Sequence, residues 1–172
     1  MASTGEIQAN ETHFRMMSFV HETLYGVFRD PYRVLRAAGL RPGQRVLEVG
    51  CGPGFFTVPA AEIVGKEGSV RAIDVNPLAV ERVRGKIQQA GVSNAEAARA
   101  DAARTGLPDG SFDLVFVFGL ARPIGRLEAI WAELHRVLKP GGVLSIEGRL
   151  YPPDELFHPV RRRGRISLFK RA

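Results

Sequence analysis

Short apolar runs alternate with stretches of helical periodicity along most of this chain. The runs are bounded by Gly, Pro, Asn or Asp and are too short for helices, so they predict buried strands. Between them, apolar residues recur at steps of three and four. The predicted strands cover residues 46–49, 69–73, 95–100, 114–118 and 143–147, and the predicted helices cover 30–38, 56–64, 77–90 and 123–138.

The two ends of the chain carry different patterns. Residues 1–12 are small and polar and are expected to be disordered, whereas residues 13–39 predict a helical segment. Its apolar face is wide enough for either a helix packed on the sheet or a lid over an apolar substrate. At the other end, residues 152–157 predict a short helix, and residues 160–170 predict a hairpin that forms a shortened antiparallel edge.

Three alternating glycines follow the first predicted strand. Gly50, Gly52 and Gly54 stand where this strand must turn into a helix, and bare backbone there lets a ligand approach closely. A dinucleotide fingerprint requires another glycine three residues after the second one, but residue 55 is Phe. The loop therefore predicts a ligand seat of another kind.

An acidic residue ends the second predicted strand. Asp74 lies 20 residues beyond Gly54, where a carboxylate can accept both ribose hydroxyls of an adenosine. A second acid, Asp101, follows the third predicted strand. Two carboxylates ending neighbouring parallel strands would meet at the same edge of a sheet.

These features together resemble the class I S-adenosylmethionine (SAM) dependent methyltransferases. The resemblance covers residues 40–150 and includes Glu48 with the glycine loop, the Leu-Pro-Asp-x-Ser-Phe-Asp stretch at 107–113, and Glu133–Gly142 before the fifth strand. The last segment is similar to the branch that includes quinone C-methyltransferases. The resemblance implies an α/β fold: a Rossmann-like, doubly wound, mostly parallel sheet flanked by helices.

The resemblance also implies a cofactor, SAM, with S-adenosylhomocysteine as the product. Glu48 would lie near the methionine amino group, Asp74 would hold the ribose, Val75 would cover one adenine face, and Asp101 would accept from the adenine amino group. The implied cofactor-binding residues are Glu48, Gly50, Cys51, Gly52, Gly54, Asp74, Val75, Asp101, Ala102, Phe118 and Gly119.

Methyl transfer from a sulfonium is a direct in-line displacement that needs alignment more than covalent help. A general base is needed only for some acceptors, and the candidates near the expected mouth are His21, Tyr25 and Arg122. No metal site is expected, because the position four residues after His21 is Tyr25 rather than His. The sequence lacks the Asn/Asp-Pro-Pro-aromatic signature of methyltransferases that act on amino groups of nucleic acids or glutamine, which argues against those acceptors. The apolar N-terminal helix favours a small, apolar acceptor instead.

Length and composition agree with one globular domain over residues 13–172. The chain has 172 residues, 45% of them hydrophobic, and a net charge of +6. The basic excess lies in residues 161–172, which contain no acid. A single cysteine, Cys51, and the absence of an apolar signal core predict a cytoplasmic protein.

Three functions remain open from the sequence. The first is a methyltransferase acting on a small apolar molecule, and the second is a SAM-binding regulatory or interaction module without turnover. The third is a peripheral lipid methyltransferase whose basic C-terminus contacts an anionic membrane. Nucleic acid is disfavoured as a partner, because the basic residues are not interleaved with aromatic stacking positions.

Overall fold

The computed structural model describes residues 30–118 and 126–172. The expected disordered N-terminus, the predicted lid helix and the start of the helix predicted from Pro123 lie outside these residues. The described helices are α1 (Pro31–Ala37), α2 (Thr57–Val64), α3 (Pro77–Ala90) and α4 (Leu127–Val137). The strands are β1 (Arg45–Val49), β2 (Ser69–Asp74), β3 (Ala95–Arg99), β4 (Phe112–Val117), β5 (Leu138–Glu147), β6 (Phe157–Arg163) and β7 (Ile166–Arg171).

All the described strands form one sheet in the order β3-β2-β1-β4-β5-β7-β6. The neighbours from β3 to β5 pair in parallel, whereas β7 pairs antiparallel with both β5 and β6. The predicted mostly parallel, Rossmann-like fold with an antiparallel edge is therefore confirmed. Parallel pairing brings the carboxyl ends of β1, β2, β4 and β5 to one edge of the sheet, which we call the carboxyl edge.

Local capping signals set several of the helix boundaries. The side chains of Asp30 and Asn76 accept hydrogen bonds from the backbone N–H groups of Tyr32 and Leu78, at 2.9 and 3.0 Å. Gly91 ends α3 in the left-handed conformation. The predicted ends of α1 and α3 and the predicted positions of β1 to β4 are confirmed to within two residues.

The core lies on both faces of the sheet. One face packs against α4 through a cluster that includes Val117, Trp131 and Leu134, and the other packs against α1 and α2 through a cluster that includes Leu35, Ala61 and Phe116. Leu114 and Leu134 are fully buried in the two clusters. The sheet is therefore covered on both sides, as its apolar central strands require.

The predicted boundary between the last helix and the fifth strand is wrong. Leu138 was expected on the helix, but it has an extended backbone and begins β5 opposite Phe112. Pro140 explains the difference, because a proline lacks the N–H that would continue the helix and drives the residue before it away from helical geometry.

The predicted helix at residues 152–157 is also wrong. The N–H groups of Leu156 and Phe157 both donate to the carbonyl of Pro153, at 3.1 and 3.0 Å, which forms a turn, and Phe157 then begins β6. The predicted hairpin is confirmed, and its first strand, β6, is longer than expected. What is short at this edge is the connection from β5 to β6, since residues 148–156 contain no helix.

None of the helices within residues 30–118 and 126–172 is long and apolar enough to cross a bilayer.

Candidate cofactor site

The glycine loop connects β1 to α2 at the carboxyl edge. Gly50, Gly52 and Gly54 have positive φ angles of 75°, 50° and 79°, which side chains with a Cβ adopt only with strain. The N–H groups of Gly50 and Cys51 donate to the carbonyl of Ile73, at 2.8 and 3.1 Å. These bonds hold the loop against the end of β2.

Asp74 joins this loop to the end of β2. Its carboxylate accepts a hydrogen bond from the Gly52 N–H at 2.9 Å and another from the Asn76 N–H at 2.9 Å. Each carboxylate oxygen has more than one acceptor direction, so both retain capacity for a ligand. The predicted pairing of the loop with an acid at the end of β2 is thus present as a direct contact.

The space beside the loop differs from one glycine to the next. A Cβ built on Gly52 meets nothing within 4 Å, whereas a Cβ on Gly54 lies 2.8 Å from Cγ2 of Val83 in α3. Gly52 therefore borders open space that a ligand can occupy. Gly54 is required for close packing between the loop and a helix.

We expect the substitutions Gly52→Ala and Gly54→Ala to separate these two roles. Gly54→Ala adds a clash to an unfavourable φ and should lower the free energy of unfolding by roughly 2–4 kcal/mol. Gly52→Ala should cost only about 1–2 kcal/mol of stability but should weaken binding of an adenosine-containing ligand at least tenfold. Urea denaturation and calorimetric titration with SAM measure the two effects.

The double substitution Gly54→Ala with Val83→Ala is the control for the clash. Because it removes the atom that the new Cβ meets, its loss of stability should be smaller than the sum of the single losses. Equal stability losses for the two glycine variants would contradict this assignment.

Glu48 lies beneath the loop and is buried, with 2% of its surface exposed. Its carboxylate accepts a hydrogen bond of 2.6 Å from the hydroxyl of Thr57, the first residue of α2. Burial raises the pKa of Glu48 to about 8, and the nearby Asp74 carboxylate adds to the shift. Glu48 therefore ties the end of β1 to the start of α2 and supports the loop from below.

Cys51 is buried within the loop, with 4% of its surface exposed. Burial raises the pKa of its thiol, and Glu48 and Asp74 raise it further. The reactive thiolate form of Cys51 is therefore disfavoured. Cys51 serves as a small loop residue.

The second acid lies next to the end of β2. The N–H of Ala100 donates to the carbonyl of Asp74 at 3.1 Å, which brings Asp101 to the same edge. The Asp101 carboxylate accepts from the Ala103 N–H at 2.9 Å and from the Arg126 guanidinium at 2.8 Å. These two donors hold the pKa of Asp101 below its usual value, so the group stays ionised.

Two further predicted residues flank the site. Val75 is 59% exposed directly after Asp74, and an exposed apolar side chain in that position can cover a flat ring. Phe118 follows β4 and packs edge-on against Phe56, with ring centroids 5.2 Å apart. Ala102 directly follows Asp101, whereas Gly119, His21, Tyr25 and Arg122 lie outside the described residues.

Sequence reasoning missed two polar groups at the carboxyl edge. One is Thr57, the partner of Glu48. The other is Glu147 at the end of β5, whose side chain is only 5% exposed and lies 3.7 Å from Nε of Arg165. Val117 pairs with Ile146, so Glu147 follows beside Phe118, where a carboxylate can accept a hydrogen bond or a proton. The one sequence signal that could have indicated Glu147 is its position at the end of a predicted strand.

A separate cavity lies at the opposite edge of the sheet. It has a volume of about 400 Å³, and its walls include Arg45, Ser69, Glu96 and Phe112 at the amino ends of β1 to β4. This cavity shares no residue with the glycine loop or with Asp74. The glycine loop, Asp74 and Asp101, which are the features expected of a nucleoside site, lie instead at the carboxyl edge.

Comparison with known proteins places the chain among methyltransferases. A family model described as a methyltransferase domain matches residues 46–142. The chain is similar to the ubiquinone/menaquinone biosynthesis C-methyltransferase UbiE of Psychromonas ingrahamii, with 36% identity over 126 residues, covering 70% of this chain and 50% of that protein. It is also similar to the nocamycin O-methyltransferase of Saccharothrix syringae, with 35% identity over 122 residues, covering 71% and 44%.

A solved structure agrees with these matches. The crystal structure of a SAM dependent methyltransferase from Aquifex aeolicus has a TM-score of 0.73 and 25% identity, and the match covers 92% of this chain and 96% of that one. The chain spans about half the length of the curated relatives it matches.

Proposed function

The chain belongs to the methyltransferase domain family, within the class I SAM-dependent methyltransferases, and from this premise we propose that it transfers a methyl group from SAM to a small, apolar acceptor. The observation that carries the proposal is the contact between Asp74 and the Gly52 N–H beside open space at the carboxyl edge. It couples a carboxylate suited to a ribose with bare backbone suited to the rest of a nucleoside.

The donor and acceptor groups of the described residues suit the chemistry of SAM. Asp74 would take the ribose hydroxyls, Val75 would cover the adenine ring, and the ionised Asp101 would accept from its amino group. The glycine loop would border the methionine portion. When bound, SAM supplies an electrophilic methyl group, and the contribution of the protein is to align it with the acceptor.

The acceptor would lie beyond the end of β4, beside Phe118. This residue belongs to an aromatic group in which Phe116 and Phe118 have centroids 5.0 Å apart, and Phe56 packs edge-on against Phe118. The three rings are buried, with at most 8% of their surface exposed, so they form an apolar backing at the end of β4. Such a backing favours a weakly polar acceptor. Because the Psychromonas relative is a C-methyltransferase of ubiquinone and menaquinone biosynthesis, a reduced quinone is the first acceptor to test.

The direct test is calorimetric titration of the full chain with SAM, followed by transfer from methyl-labelled SAM. The acceptor probe is reduced, short-chain demethylmenaquinone, with a reduced naphthoquinone that already carries the ring methyl as the control. We expect SAM to bind and the label to appear on a ring carbon, as determined by NMR. Absence of binding at millimolar SAM would overturn the proposal.

The same experiment separates the alternatives. A label on oxygen would indicate chemistry like that named for the nocamycin relative. SAM binding without transfer to this probe or to a panel of phenols and hydroxy lipids would instead favour a regulatory module without turnover. We also propose that the protein contacts an anionic membrane through its basic C-terminal strands.

A further inference from the structure

Arginine side chains crowd the tip of the β6–β7 hairpin and the segment next to it. Five of them, at positions 149, 161, 162, 163 and 165, are all exposed. Ile166 pairs with Glu147 at the end of β5, and the Gly148 N–H donates to the Arg165 carbonyl at 2.9 Å. The hairpin tip therefore lies at the carboxyl edge, the edge that also carries the glycine loop and Asp74.

The positive charge at this tip is almost unopposed. The acids that follow Glu147 are Asp154 and Glu155, which precede Phe157. Phe157 pairs with Arg171, whose guanidinium donates to the carbonyl of Leu138 at the amino end of β5. These two acids thus lie toward the opposite edge. Among the described residues from the end of β5 onward, Glu147, 3.7 Å from Arg165, is the acid that offsets part of the charge at the tip.

Apolar and aromatic side chains accompany the arginines. Among the residues that the structure describes, three large hydrophobic side chains are exposed, and two of them, Tyr151 (55%) and Val160 (60%), belong to this region. Arg162 donates to the hydroxyl of Tyr151 at 3.4 Å, so the aromatic ring lies beside the charge. Cationic groups with an adjacent amphipathic aromatic ring are typical of surfaces that meet lipid headgroups.

Other classes of partner fit this surface less well. β6 is the outermost strand, but its arginines and the irregular register between Pro159 and Arg161 oppose pairing with a further strand. A nucleic acid strand is held along a groove with several stacking rings, whereas this surface is a convex turn with Tyr151 as its exposed aromatic residue. Charge complementarity therefore selects an anionic lipid surface.

We propose that the arginine-bearing tip of the β6–β7 hairpin docks on an anionic membrane and turns the carboxyl edge toward the bilayer. Docking in this orientation would let a lipid-soluble acceptor reach the end of β4 from the membrane; this consequence alone rests on the proposed methyltransferase function. The docking itself requires no cofactor.

Co-sedimentation of the full chain with vesicles tests the docking. The variant carries Arg149→Gln, Arg161→Gln and Arg163→Gln, side chains for which the described residues provide no hydrogen bond or ion pair. The matched control carries Arg33→Gln, Arg41→Gln and Lys66→Gln, which are exposed elsewhere and change the net charge equally. Each cation near an anionic surface strengthens binding about fivefold, so the hairpin variant should bind phosphatidylserine vesicles roughly a hundredfold more weakly.

The control variant should lose much less of its affinity for phosphatidylserine vesicles. Neither the parent nor the variants should bind vesicles made only of phosphatidylcholine. Equal losses for the two variants would overturn the proposal, because a general effect of net charge would then suffice. The proposal would also be overturned if the hairpin variant lost binding to a single-stranded RNA oligonucleotide but kept its binding to vesicles.

Tryptophan quenching by brominated lipid tests the orientation. Trp131 is 3% exposed and supplies a constant background. A tryptophan introduced as Tyr151→Trp should be quenched by brominated anionic vesicles, whereas one introduced as Arg41→Trp, before β1, should not be. Equal quenching of both would overturn the orientation. SAM titration of every variant keeps this result separate from the test of the methyltransferase function.

Discussion

Replacing Asp74 with asparagine is expected to weaken SAM binding at least a hundredfold. The carboxylate is expected to accept both ribose hydroxyls, and a hydrogen bond to a charged group contributes roughly 1.5–3 kcal/mol. Two such bonds correspond to at least about 3 kcal/mol, or more than a factor of 100 in affinity. An amide presents one acceptor oxygen, so it cannot replace the pair. Calorimetric titration measures the change.

The stability of the variant must be measured in parallel. Asp74 also accepts from the N–H groups of Gly52 and Asn76, so Asp74→Asn should lower the free energy of unfolding by about 1–2 kcal/mol. The matched control is Glu67→Gln, an exposed acid between α2 and β2, which should bind SAM like the parent. A variant that is folded and binds SAM within fivefold of the parent would refute the ribose role.

The substitution Glu48→Gln is expected to change how stability depends on pH. The pKa of Glu48 rises from 4.5 to about 8 on folding, chiefly through burial. Between these values the folded state holds a proton that the unfolded state has lost, so stability falls as pH rises. The favourable contribution is complete below pH 4.5 and is lost as pH rises through 8.

Glutamine keeps an acceptor for the Thr57 hydroxyl but does not titrate. The stability of the parent relative to Glu48→Gln should therefore fall by roughly 4 kcal/mol between pH 5 and 9. Urea denaturation without SAM at several pH values measures this difference, and Glu67→Gln supplies the control for an exposed glutamate. Parallel curves for the parent and Glu48→Gln would mean that the buried carboxylate is already ionised in the folded protein.

Much of the fold follows from local signals. Asn76 and Gly91 bracket α3 because a side-chain cap and a left-handed glycine act within one helical turn. The strand β1 and the turn at the glycines after it were also predicted from signals that act within a few residues. Local signals were less decisive near the C-terminus. Pro140 ends a helix that apolar spacing alone would extend, and the strand and turn that follow depend on distant partners.

Motifs identified the residues of the candidate cofactor site, but not their interactions. The spacing from Gly54 to Asp74 predicted an acid near the loop, yet nothing local indicates that Asp74 accepts from Gly52. The position of Glu147 beside the end of β4 was not predicted. This residue reaches the site through the pairing of β5 with β4 and β7, which joins residues distant in the chain.

Local sequence signals determined the succession of strands and helices along the chain, the caps of the helices, and the glycine backbone at the end of β1. These depend on conformational preferences within a few residues. Three other features depend on the tertiary structure: Gly54 packs against Val83, Glu48 is buried with a raised pKa, and the arginine-bearing hairpin tip lies at the carboxyl edge. Burial, pKa and shared edges arise from contacts between distant segments, and those contacts exist only once the sheet has formed.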